Sequence, residues 1–110
     1  MERNIKIGSN EYKMKASAAT LVHYRNEFGA DMLTEISLYA RGNNSTSVIE
    51  RSAYIMAKDA GETLPAFEEW LEGFNLTDFN HAAKDIVKLW NENSGTVVTS
   101  KKKDVPSNVK

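Results

Sequence analysis

The sequence predicts an α+β protein that is mainly α. It has an N-terminal β-hairpin over 5–16, then about five short helices over 17–93 in one small core, and a flexible basic tail over 94–110. Three observations predict this. Apolar and polar residues alternate on both sides of Gly8-Ser9-Asn10, which is hairpin patterning. From Ser17 onward apolar residues recur at helical intervals, punctuated by Gly29, Gly42, Gly61 and Pro65. After Asn93 the periodicity stops, and small polar residues and lysines take over.

A chain of 110 residues is one domain. At this size a chain buries roughly 65% of its unfolded surface, enough for a core with no covalent staple. There is no cysteine, so disulfides and a thiolate zinc site are excluded, and the usage fits a reducing cytoplasm. The opening MERNIKIGSN lacks the apolar stretch of a signal peptide. No apolar run approaches the roughly 20 residues of a membrane span, so no membrane partner is expected.

Net charge is −1, unevenly distributed. Through Asn93 there are 10 Lys/Arg against 14 Asp/Glu, and from Ser94 four lysines against Asp104. Asp59, Glu62, Glu68, Glu69, Glu72 and Asp78 form a stretch without a base. A nucleic-acid-binding body would carry the opposite sign, so no nucleic-acid partner is expected.

In the hairpin, Ile5 and Ile7 alternate with Lys6, and Tyr12, Met14 and Ala16 with Lys13 and Lys15. Two strands alone are marginal in water, so this face must lie on helices or on another copy of the protein. Ser17 caps the next helix, which runs to Phe28 with Ala18, Leu21, Val22, Arg25 and Phe28 as its expected inner stripe. Asp31 caps a helix over Met32 to Arg41, with Leu33, Ile36 and Ala40 inward. An exposed loop over 42–46 follows.

Ser47 to Ala60 is the best-specified helix. Ser47 and Glu50 have capping-box spacing, and Gly61 supplies a stop because glycine takes the left-handed conformation cheaply. Ile49, Ala53, Met56, Ala57 and Ala60 share one arc, while Glu50, Tyr54 and Lys58 lie on another. So small a stripe places this helix at the centre of the core. Pro65 opens a short helix whose Phe67, Trp70, Leu71 and Phe74 form a bulky face, with Glu68, Glu69 and Glu72 pointing away. Thr77 caps the last helix, Asp78 to Asn91, with Phe79, Ala82, Ala83, Ile86 and Trp90 inward and Leu89 beside them.

Chemistry-bearing residues are sparse. There is no Gly-rich phosphate loop, no nucleophile elbow and no helical His-Glu-x-x-His, so no enzymatic activity and no cofactor are expected. His23 sits four residues before Glu27, the spacing of a surface imidazole paired with a carboxylate. Asp78, His81 and Asp85 share a helix face, a spacing common on solvated surfaces, and no metal is expected there. Lys101-Lys102-Lys103 reads as a solubilising run. What remains is a binding module that self-associates or holds a larger partner. Its candidate contact residues are the apolar hairpin face, Ile5, Ile7, Tyr12 and Met14, and the aromatic helix face, Phe67, Trp70, Leu71 and Phe74.

The stretch IGSNEYKMKASAATLVHYRNEFGADML, residues 7–33, resembles the start of the tail assembly chaperones of long-tailed phages and prophages of Gram-positive bacteria. Ala53-Tyr54-Ile55-Met56-Ala57-Lys58, Glu68-Glu69-Trp70-Leu71 and Leu89-Trp90-Asn91-Glu92-Asn93 continue the resemblance in order along the chain. It implies a non-enzymatic protein of the bacterial host cytoplasm that is absent from the finished virion. Such proteins bind the long, largely helical tape measure protein, keep it soluble and help deliver tail tube protein. The family implies a homo-oligomer. It also implies a longer product made by programmed frameshifting, for which Lys101–Lys103 is a candidate site, and through which tail tube protein is recruited. The alternatives are a structural tail or head–tail connector component and, more remotely, a small DNA-binding regulator.

Overall fold

A computed structural model describes residues 2–42 and 47–93. Two strands precede five helices: β1 (Glu2–Ile7), β2 (Asn10–Lys15), α1 (Ala18–Phe28), α2 (Met32–Ala40), α3 (Ser47–Asp59), α4 (Phe67–Leu71) and α5 (Asp78–Asn93). This is the mainly helical α+β architecture that the patterning predicts. The expected tail over 94–110, with Lys101–Lys103, and loop residues 43–46 lie outside the described residues.

β1 and β2 pair antiparallel, with Ile5 opposite Tyr12 and Ile7 opposite Asn10. The two-residue turn is Gly8-Ser9, and Gly8 has φ 64°. Turns matching the right-handed twist of a hairpin need positive φ at this position. Space is short there as well, because a Cβ would stand 2.7 Å from Asp78 Oδ2 and that carboxylate would have to shift. Ile5, Ile7, Met14 and Ala16 are each 2% exposed or less. They are covered from below, since β2 lies against α3 and β1 against α5.

The Gly29 stop and the Asp31 cap fall where the sequence predicts them, whereas Pro65 lies before the Ala66 N-cap of α4, Phe74 lies beyond its end at Leu71, and α5 runs on to Asn93. Asp31 Oδ1 accepts the Leu33 N–H at 3.2 Å, and Asp31 Oδ2 accepts the Thr34 hydroxyl at 2.7 Å. Three helix faces differ from expectation. In α1 the buried residues are Thr20 and Tyr24, while Ala18 and Arg25 are exposed and Val22 is 48% exposed. The helix is rotated because both inward hydroxyls find carboxylates, Thr20 that of Asp59 and Tyr24 that of Glu35. A satisfied hydroxyl is no longer costly to bury. In α2, Met32 is the buried residue, Ile36 is half-buried, and Leu33 and Ala40 face outward.

α3 is buried nearly all round. Every residue from Ser52 to Ala57 is inside, including Tyr54, which the arc of small residues placed on an outer face. Tyr54 enters the core because its hydroxyl donates to the Pro65 carbonyl at 2.6 Å. In α5, Phe79, Ala82, Ala83, Ile86, Leu89 and Trp90 are all buried, as their periodicity predicts. Burying one large apolar side chain is worth roughly 1.5–3 kcal/mol, so this stripe is a main tie between α5 and the rest.

Candidate interaction surface

α4 has five residues, too few to hold a helix by backbone bonds alone. Aromatic side chains hold it. The Trp70 ring lies 5.6 Å from Tyr12, 5.3 Å from Tyr54, 5.0 Å from Phe74 and 5.6 Å from Phe79. Its indole N–H donates to the Tyr12 hydroxyl at 3.3 Å. Phe67 lies 5.2 Å from Tyr54 and 4.9 Å from Phe28, both edge-on. Edge-to-face pairs add about 0.5–1.5 kcal/mol each beyond their buried area. Through these rings the hairpin, α1, α3, α4 and α5 share one seam.

This packing changes the account of the eight candidate contact residues. Ile5, Ile7, Met14 and Trp70 are core residues of the single chain, so the hairpin face lies on the chain's own helices and Trp70 is spent on packing. Tyr12, Phe67, Leu71 and Phe74 are half-buried and pack against that core. The hairpin and α4 close over α3 and α5, which spend these faces internally.

Other residues stay outside. Glu68, Glu69 and Glu72 form an exposed acidic face on α4. Leu76, in the turn before α5, is 99% exposed. With Leu71, Phe74, Phe79 and Glu50 it lines a shallow cleft. Burial raises the Glu50 carboxyl above the ordinary glutamate range, opposed by the nearby Arg51 charge. Helical periodicity cannot single out Leu76, because it lies between elements. A larger groove of about 760 Å³ runs between α2 and α5, with Ile36, Tyr39, Ala83 and Val87 on its floor and Lys84 and Lys88 on its rim.

The polar clusters serve packing. Asp59 accepts the Thr20 hydroxyl at Oδ2 (2.8 Å), and its Oδ1 lies 2.7 Å from His23 Nδ1. The expected partner of His23, Glu27, instead lies 4.0 Å from Lys58 Nζ. A base must touch the hydroxyl it activates. Here imidazole and hydroxyl sit on opposite oxygens of one carboxylate, and Thr20 is fully buried. The arrangement ties α1 to the C-terminal end of α3 and presents no activated nucleophile.

Tyr24 donates its hydroxyl to Glu35, whose other oxygen lies 3.6 Å from the Arg51 guanidinium. Burial, and then the hydrogen bond to Glu35 and the charge of that carboxylate, push the Tyr24 phenol well above its ordinary value. Arg51 stacks over the Phe28 ring, 5.3 Å from its centroid.

Asp78 Oδ2 accepts the Asn75 N–H at 2.8 Å, while His81 and Asp85 are exposed. Among the described residues no three His, Asp or Glu side chains converge as a metal site. No helix among them is long and apolar enough to cross a membrane. No family model, curated protein or solved structure matches the chain.

Proposed function

We propose that this chain is a tail assembly chaperone of a long-tailed phage or prophage, which binds the tape measure protein and keeps it soluble during tail assembly. The observation that carries the reading is the ordered resemblance from Ile7 to Asn93, in which the EYKMKA, YRNEFG, AYIMAK, EEWL and LWNEN segments resemble those of the family in order and with similar spacing. The arrangement of side chains suits a binding role. The groups with catalytic potential, His23, Thr20 and Tyr24, are engaged with Asp59 and Glu35. The outward surface combines the α4 glutamates with the exposed Leu76.

In this account the protein is not an enzyme, acts in the host cytoplasm as several copies per partner chain, and leaves before the virion is complete. Tail tube protein is recruited through a longer frameshifted form. Many modest contacts along one long partner give high avidity through effective concentration. An acidic face beside an apolar one suppresses wrong pairings and steers basic helical segments.

Co-expression with the tape measure protein encoded downstream tests the proposal. The partner is expected to move from the insoluble to the soluble fraction and to co-purify with this chain. A partner that stays insoluble, with this protein eluting alone or found in purified particles, would instead favour a structural tail or connector component.

A further inference from the structure

The two edges of the hairpin are treated differently. Residues flanking a two-residue turn exchange both backbone hydrogen bonds, and the pairs then alternate along the ladder. With Ile7 opposite Asn10, the residues whose backbone groups point away from the partner strand are Glu2, Asn4 and Lys6 on β1 and Glu11, Lys13 and Lys15 on β2. On β2 the middle of that outward row is occupied, since the Lys13 N–H donates to Glu62 Oε2 at 2.8 Å. On β1, Asn4 and Lys6 have no hydrogen bond beyond the hairpin among the described residues. Open strand edges are templates for another strand.

The side chains on that edge are self-complementary. Glu2, Asn4 and Lys6 are exposed, and Glu2 and Lys6 have no ion-pair partner among the described residues. The neighbouring charge, Arg3, is held by Glu92 at 2.6 Å, which anchors β1 to α5 and leaves the edge row outward. If a second β1 runs antiparallel with Asn4 opposite Asn4, Glu2 of each strand faces Lys6 of the other. In that register every outward backbone group of one strand meets one on its neighbour, because Glu2, Asn4 and Lys6 all have the same ladder parity.

We propose that the β1 edge pairs with the β1 edge of a second copy of this chain about a twofold axis at Asn4. The product is a continuous four-stranded sheet in the order β2, β1, β1, β2. Two Glu–Lys pairs lie across the junction, and the β2 edges, each interrupted at Lys13 by Glu62, end the sheet on both sides. The occupant is a second copy because the charge pattern is its own complement about Asn4, which is what an isologous twofold contact requires. The inference stands independently of the chaperone reading.

Light scattering and cross-linking of the full chain test it. The wild type is expected at twice the 12.3 kDa chain mass or an even multiple of it. Lys6→Glu sets two like-charge pairs across the axis and is expected to weaken association roughly tenfold. Glu2→Lys combined with Lys6→Glu restores the pattern in reverse and should restore association. Both side chains are exposed, so the melting temperature reports separately that the fold is intact.

The protein has no cysteine. Asn4→Cys therefore places a single thiol on the axis, where directly opposed Cα atoms lie about 5.5 Å apart, within disulfide reach. Under mild oxidation Asn4→Cys should form a covalent dimer, and Lys13→Cys on the covered edge should not. A monomer at all concentrations, an oligomer indifferent to Lys6→Glu, or equal cross-linking by the two cysteine variants would overturn the proposal.

Discussion

The hydroxyl of Tyr54, in the middle of the central helix α3, donates to the carbonyl oxygen of Pro65 at 2.6 Å and so fixes the chain that leads into α4. The same ring touches Phe67 and Trp70, the two side chains that hold α4 to the body. A short helix that cannot sustain itself is thus placed by one bond and a set of ring contacts. Tyr54→Phe keeps the rings and removes the bond. It is expected to cost about 1 kcal/mol, a fall of roughly 5 °C in Tm, measured by circular dichroism.

Trp70 and Leu76 should behave in opposite ways. Trp70 is buried among four rings, so Trp70→Ala opens a cavity and is expected to cost about 3–5 kcal/mol. Its effect on partner capture follows from lost stability. Leu76 is almost fully exposed. Leu76→Asp should leave stability within about 0.5 kcal/mol while reducing recovery of the soluble partner complex. Calorimetry of each variant beside a pull-down separates the two effects.

Gly8 is constrained twice, by its φ of 64° and by Asp78 Oδ2 at 2.7 Å from a would-be Cβ. Gly8→Ala should therefore cost about 1–2 kcal/mol. Asp78→Ala alone loses the bond to the Asn75 N–H, about 1 kcal/mol. Combining them removes the steric part, so the double variant should be less destabilised than the sum of the singles. Urea unfolding of the three variants checks this coupling.

Much of this architecture is legible in the order of residues. The hairpin turn, the Asp31 cap, the glycine stops and the α5 stripe are local signals, and each appears where its residues place it. The faces of α1 and α3 were not legible for one physical reason. Thr20, Tyr24 and Tyr54 are polar, and they become core residues through Asp59, Glu35 and Pro65, which lie 39, 11 and 11 positions away. Periodicity cannot see a distant hydrogen bond. Which side chains of the hairpin and of the α4 face are covered by the chain itself was not legible for a related reason. An amphipathic face shows that a side chain will be covered, but its covering partner is set by the tertiary fold, and here α3 and α5 cover Ile5, Ile7 and Met14.

Tyr24 makes the three-helix network sensitive to alkali. The folded protein binds the phenol proton more tightly than the unfolded chain does, because burial and Glu35 raise its pKa. The resulting stability is present below the ordinary phenol value of about 10 and is lost as pH rises above it. Unfolding free energies measured from neutral pH upward should fall more steeply for the wild type than for Tyr24→Phe.

Glu50 works at the acid end. Its carboxyl is raised by burial, so the folded protein disfavours the ionised form. The benefit of its proton is present below the ordinary glutamate pKa and lost as pH rises through the raised value. Glu50→Gln should therefore stabilise at neutral pH. The gain should vanish in acid, as read from Tm against pH.

The central claim concerns what this protein holds, and the mass of the purified complex tests it most directly. Native mass spectrometry of the chain co-expressed with the product of the longest reading frame downstream, the tape measure protein of the proposal, is expected to show one long partner chain carrying several copies of the 12.3 kDa subunit. A spectrum with this protein only in complexes with itself, and the partner recovered without it, would contradict the account.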